Sequence, residues 1–178
     1  MKFLRLGLLV ALLSLAGSAW ADGAVVRWNA IVGVHGSEDD SVNMAVAYFT
    51  PAANWIWVDS GFVTLNLTTG QFKIVMRYVS WAANNPAVTD PIGSVLGGAN
   101  FSRKGLFVCD AIGHYGDTQV VETDAFYLDK SGSASVQGLV DLPQICRDHP
   151  DQIAFLVGGA NSDRYFAYGV GKMVLAAE

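Results

Sequence analysis

The sequence predicts an all-β fold: an antiparallel two-sheet β-sandwich, stapled by one disulfide, with two halves that echo each other. Three observations predict it. Short β-rich runs separated by turn residues fill the chain beyond residue 22, with seventeen of the nineteen glycines spread through it and no sustained 3.6-residue period. Two pairs of such runs read as hairpins. The stretch Gly97-Gly98-Ala99-Asn100 returns as Gly158-Gly159-Ala160-Asn161. Each copy follows an apolar run, and each has a glycine turn upstream, at Gly70 and Gly132, 27 and 26 positions earlier. Gly-Gly and Asn also recur in turns for purely local reasons, so the echo has a second explanation.

In chain order, residues 1–21 precede the fold. Lys2 and Arg5 make a basic head, residues 6–16 are apolar, and Ala19-Trp20-Ala21 is a small-x-small cleavage signal. That is the pattern of a secretory leader cut after Ala21, and the apolar run is shorter than the roughly 18 residues of a spanning helix. Residues 22–178 are then a single domain, exported to the periplasm or beyond the cell, with no membrane span. Removing Lys2 and Arg5 leaves nine basic against sixteen acidic residues, a net charge of −7. Such a surface repels nucleic acid and anionic lipid, and the sequence has no basic run to offset it.

Residues 25–34 form a first expected strand, and 44–50 a second that ends at Pro51. Residues 54–60 are short and aromatic. The clearest hairpin joins 61–68 to 71–80. Val63, Leu65 and Leu67 share one face of its first arm, and Phe72, Ile74, Met76 and Tyr78 alternate with Lys73 and Arg77 on its second. Period two on both arms gives one buried and one wet face. Residues 81–91 are a long irregular connection. Strands at 92–96 and 104–110 flank the first Gly-Gly turn, and 112–118 is another loop. Residues 119–128 and 133–142 read as the second hairpin, 143–151 as a loop, and 152–157 and 164–175 as the last strands.

Cys109 and Cys146 are the only cysteines. In an exported chain they are expected to pair. Bonded, they close a loop of about 38 residues, worth about 4 kcal/mol in the chain-entropy description. Neither a CxxC redox spacing nor a zinc-ligand spacing is present.

The candidate binding residues are Trp55, Trp57 and Asp59, two apart on one strand and so facing the same way, with Trp81 at the mouth of the long loop as a fourth. If Ile56 and Val58 are core, two indoles and a carboxylate stand on an open face, the arrangement a sugar ring or a protein partner uses. If the tryptophans are core, a neighbouring loop must cover the aliphatics. His35, His114 and His149 each lie in a loop near an acid (Glu38, Asp117 and Asp148) and are a metal-ligand set if the loops converge, although no ligand spacing is present. Glu38, Asp39 and Asp40 lack the alternation of a calcium loop. There is no G-x-S-x-G elbow and no phosphate loop. Glu122 and Asp124 share one strand face, whereas glycosidase acids come from separate elements across a cleft. No cofactor and no metal site are expected. The function expected is non-catalytic binding or structural work, the partner being a carbohydrate or another envelope protein.

Overall fold

The computed structural model describes residues 23–34, 46–52, 56–81, 95–96, 102–110 and 118–176. Nine strands are present among them: β1 (Val25–Gly33), β2 (Thr50–Pro51), β3 (Ile56–Asn66), β4 (Gln71–Trp81), β5 (Arg103–Cys109), β6 (Gln119–Glu122), β7 (Ala134–Leu139), β8 (Ala154–Gly159) and β9 (Arg164–Leu175). One short helix, α1 (Gln144–Asp148), carries Cys146 within the expected 143–151 loop.

The expected antiparallel β character is present, but the described residues form one sheet rather than the two expected. Pairing follows one path, β6-β5-β8-β9-β1-β3-β4-β7, with β2 parallel to the start of β9. On a flat sheet β5 and β4, five steps apart at ~4.8 Å each, would be about 24 Å from one another. Instead the rings of Phe72 on β4 and Phe107 on β5 lie 6.1 Å apart. The sheet therefore curls round on itself as a half-barrel, one face inward.

The curl has a local cause in the long central strands. β1 buries Val26 and Trp28, turns Asn29 and Ala30 away, and buries Ile31. β3 and β4 do the same at neighbouring positions, with Asp59–Ser60 and Arg77–Tyr78 both exposed in succession. Tyr78 has φ 51°, between the pairs Val58↔Val79 and Ser60↔Arg77, and Gly171 of β9 has φ 64° against Asn29. Two successive outward residues reverse the alternation, so each strand bends as at a bulge and reaches the same core from both sides. The hairpins and long connections that read as two sheets are accommodated instead by bent strands of one curled sheet.

The core centres on Trp28, Phe107 and Phe155, with centroids 5.4 to 6.1 Å apart. β5 and β8 are apolar on both sides. Leu106, Val108 and Leu156 point away from this core into a second cluster with Phe49 and Tyr165, against which Val46 and Ala47 pack. That is why these strands read as continuous hydrophobic runs rather than alternating ones.

The first hairpin folds as expected. Asn66 Oδ1 accepts the Thr68 and Thr69 N–H groups, both at 2.9 Å, and Gly70 closes the turn at φ 72°. A side chain at Gly70 would be strained by that φ and would strike the Val140 carbonyl oxygen. The second expected hairpin does not form. Its turn exists, Gly132 N–H donating to Asp129 O, but the arms part: β6 pairs with β5 and β7 with β4, at opposite edges of the sheet. Burial of Phe126 and Leu128 draws the first arm inward, and the Phe126↔Arg103 bridge holds it there. The segment between them straps one edge to the other. With the second hairpin split, the halves do not echo there. Asn161 follows β8 in its turn, while Gly97, Gly98 and Asn100 lie outside the described residues.

Cys109 and Cys146 are bonded and fully buried, tying the end of β5 to α1. Arg147 Nε donates to Leu67 O at 3.0 Å, seating the helix over the first hairpin's turn. Replacing both cysteines with serine should cost about 2–5 kcal/mol, measured by denaturant unfolding against the oxidised protein. An unchanged midpoint with the same slope would show that the bond contributes nothing.

Candidate functional site

The outer face of the β3–β4 hairpin carries the exposed aromatic and polar groups. Ile56 and Val58 are buried, at 3% and 7% exposure, and this turns Trp57 outward at 50% together with Asp59. Trp57 stands opposite Ser80 in the register, and Tyr78, 46% exposed, stands on β4 beside the bend. Of the two arrangements open to residues 55–59, the described strand adopts the one with aliphatics inside. Trp55 lies outside the described residues.

Trp81 does not join this face. It pairs with Ile56, and residues directly opposite in an antiparallel ladder share a side. Trp81 therefore points inward and packs half-buried against the core. It lines a separate cavity of about 310 Å³.

Further along the outer face, past the bend, an open groove of about 770 Å³ runs between β4 and the strap that precedes β7. Phe62, Lys73, Arg77, Tyr127 and Asp129 line it. The Phe62 ring has the Arg27 guanidinium 5.6 Å and the Lys73 ammonium 5.9 Å from its centroid. Tyr127 is 55% exposed. Phe62 and Tyr127 gave no sequence signal as site residues, because only the packing of the strap against β4 brings them to one groove.

The strap's tip is stiff. Asp129 Oδ1 accepts from Ser131 N–H at 2.8 Å, Ser131 Oγ–H at 2.6 Å and Ser133 N–H at 3.0 Å. The Ser131 hydroxyl and the backbone donors hold the exposed Asp129 carboxyl below its usual value. Tyr78 N–H in turn donates to Ser133 Oγ at 3.3 Å, linking the tip to the bend in β4.

Of the three candidate metal-ligating histidines, His149 is exposed at the end of α1, while His35 and His114, like Glu38, Asp39, Asp40 and Asp117, lie outside the described residues. Among the described residues no group of three or more His, Cys, Asp or Glu side chains is placed to hold a metal. Glu122 accepts from Lys104 Nζ at 2.6 Å on the β5–β6 pair and is exposed. Tyr165 is pushed up to about 12 by burial and by Tyr168, so it stays protonated across the neutral range. Burial lowers Lys172, against the opposing charge of Asp151, and its ammonium donates to the carbonyls of Asp151 and Ile153.

No family description, curated protein or solved structure matches this chain.

The Asp129 interactions carry a pH signature. Because its folded pKa is depressed, its stabilisation is complete above the unfolded carboxyl value and is lost as pH falls through the folded one. Melting curves of the wild type and Asp129→Asn should therefore differ at neutral pH and converge in acid. A gap that persists unchanged at the lowest pH would refute an ionised cap.

Proposed function

We propose that this protein is an exported, non-catalytic carbohydrate-binding module whose site is the outer face of the β3–β4 hairpin. The observation that carries it is the pairing of a half-exposed Trp57 with an outward Asp59, both held in place by the burial of Ile56 and Val58. An indole presents a flat apolar surface to the C–H face of a pyranose, and a neighbouring carboxylate accepts its hydroxyls. Large exposed aromatics on a rigid strand give up little entropy on binding. Tyr78, and beyond it the groove with Phe62, Tyr127 and Arg77, extends the same chemistry along the sheet, which suits an elongated saccharide rather than a single ring. Export is supported by the leader pattern in residues 1–21 and by the buried disulfide, which persists in oxidising compartments.

Titration with soluble oligosaccharides, followed by indole emission, tests this. A saturable shift is expected. Trp57→Ala should weaken binding by about thirtyfold, the loss of a central aromatic anchor of about 2 kcal/mol, while changing folding stability by no more than about 1 kcal/mol. Trp81→Phe should bind as the wild type does. Saccharide binding that survives Trp57→Ala would move the site elsewhere. A flat response across the panel, with saturable binding of a protein from the same compartment at this face, would replace the sugar by a protein partner.

A further inference from the structure

Several of the basic side chains in this acid-rich protein are engaged within the fold. Lys104 pairs with Glu122, Arg147 donates to Leu67 O, and Lys172 donates to the carbonyls of Asp151 and Ile153. Arg103 is buried against Phe166. Arg27, Lys73 and Arg77 differ. They gather on the outer face past the bend, and among the described residues no acid is paired with any of them.

The register sets their positions. Arg27 on β1, Thr64 on β3, Lys73 on β4 and Gln137 on β7 pair in one row across four strands. Phe62 lies in the next row of the same face, opposite Val75. Two strand spacings put Arg27 about 10 Å from Lys73, and four residues of extended chain put Arg77 about 13 Å along β4 from Lys73. The Phe62 ring, with the Arg27 and Lys73 cations 5.6 and 5.9 Å from its centroid, holds both without neutralising either. Lys73 and Arg77 line the groove itself, where Asp129 is the one acid among the lining residues. Its Oδ1 already accepts three hydrogen bonds from the strap's tip. Basic groups therefore outnumber acids here, in a protein whose net charge is −5.

Resting on the saccharide reading of this face, we propose that the ligand is an anionic polysaccharide, one whose sugar units carry carboxylates or sulfates. Its rings run from Trp57 along the groove, and its anionic groups meet Arg27, Lys73 and Arg77. Cations spaced over a face, rather than clustered at a point, suit charges that recur along a chain. Arginine meets such an anion through parallel N–H bonds, and lysine meets it as a point charge. Side chains already set against Phe62 lose less freedom on binding. Tyr127, 55% exposed on the strap, adds an aromatic surface for a pyranose. Asp59, at the Trp57 end, accepts hydroxyls, so the ligand's charges fall past the bend. The acidic remainder of the surface repels an anionic chain and confines it to this face.

The test is calorimetric titration of the purified protein with oligogalacturonate and with dextran sulfate, against methyl-esterified oligogalacturonate, dextran and polyglutamate. At least one anionic saccharide should bind about tenfold or more tighter than its neutral counterpart, and added salt should narrow that gap. Either anion supports the proposal, and the tighter one tells carboxylate from sulfate. The double variant Lys73→Gln, Arg77→Gln should shrink the ratio of anionic to neutral affinity by about tenfold or more, the loss of charge-assisted bonds, in a protein that still melts cooperatively. An unchanged ratio in that variant would overturn the proposal. So would polyglutamate binding as tightly as the saccharides, which would show a site for charge alone. Equal binding of charged and neutral saccharides, both weakened by Trp57→Ala, would overturn it while leaving the saccharide reading intact. Failure of every saccharide to bind would remove that reading and this inference with it.

Discussion

The structure depends on one contact across the core. Phe72 comes from the β4 end of the strand path and Phe107 from β5 near the opposite end, and their rings meet at 6.1 Å. Trp28 and Phe155 complete the cluster. Each aromatic pair adds about 0.5–1.5 kcal/mol beyond the area it buries. The cluster's larger effect is topological. It defines an inside for a single sheet, and once an inside exists the direction of every strand residue follows. Trp57 is outward and Trp81 inward because they sit on opposite sides of a ladder whose inner side is already assigned.

The bend makes that contact reachable. A sheet with unbroken alternation would keep Trp57 on the side of Val63 and Leu65, facing the core. The paired outward residues at 59–60, 77–78 and 29–30 reverse the alternation and send Ile56 and Val58 inward instead. The exposed aromatic face and the curl are thus products of the same irregularity. The disulfide and α1 work at a different place, where Cys146, Leu142 and Ile153 pack into the core near the first hairpin's turn.

Much of this was legible in the sequence where local chemistry decides. The first hairpin, its turn at Gly70, the strands of β1, β8 and β9 and the pairing of Cys109 with Cys146 all follow from alternation, turn residues or cysteine count. The rest depends on contacts distant in the chain. Residues 119–142 contain a true turn, yet each arm finds a different sheet edge, and no local signal distinguishes that from a hairpin. The left-handed Tyr78 carries no glycine to mark it. At the candidate site, spacing placed Trp57 and Asp59 on one face but left open which face points outward, and Trp81 was grouped with them for its place at the mouth of the long loop, whereas its pairing with Ile56 turns it inward. Arg103 gave no sequence signal of its burial, since a strand-initiating arginine ordinarily reads as surface and its contacts with Phe126 and Phe166 are distant in the chain.

The most direct measurement is oxidative footprinting of the tryptophans by mass spectrometry, in the presence and absence of a bound oligosaccharide. The curled sheet with an open outer face requires Trp57 to be modified fast, Trp81 slowly and Trp28 scarcely at all, and requires the saccharide to protect Trp57 alone. Trp28 labelling as fast as Trp57 would contradict the inside–outside assignment, and protection of Trp81 with Trp57 unchanged would contradict the place of the site.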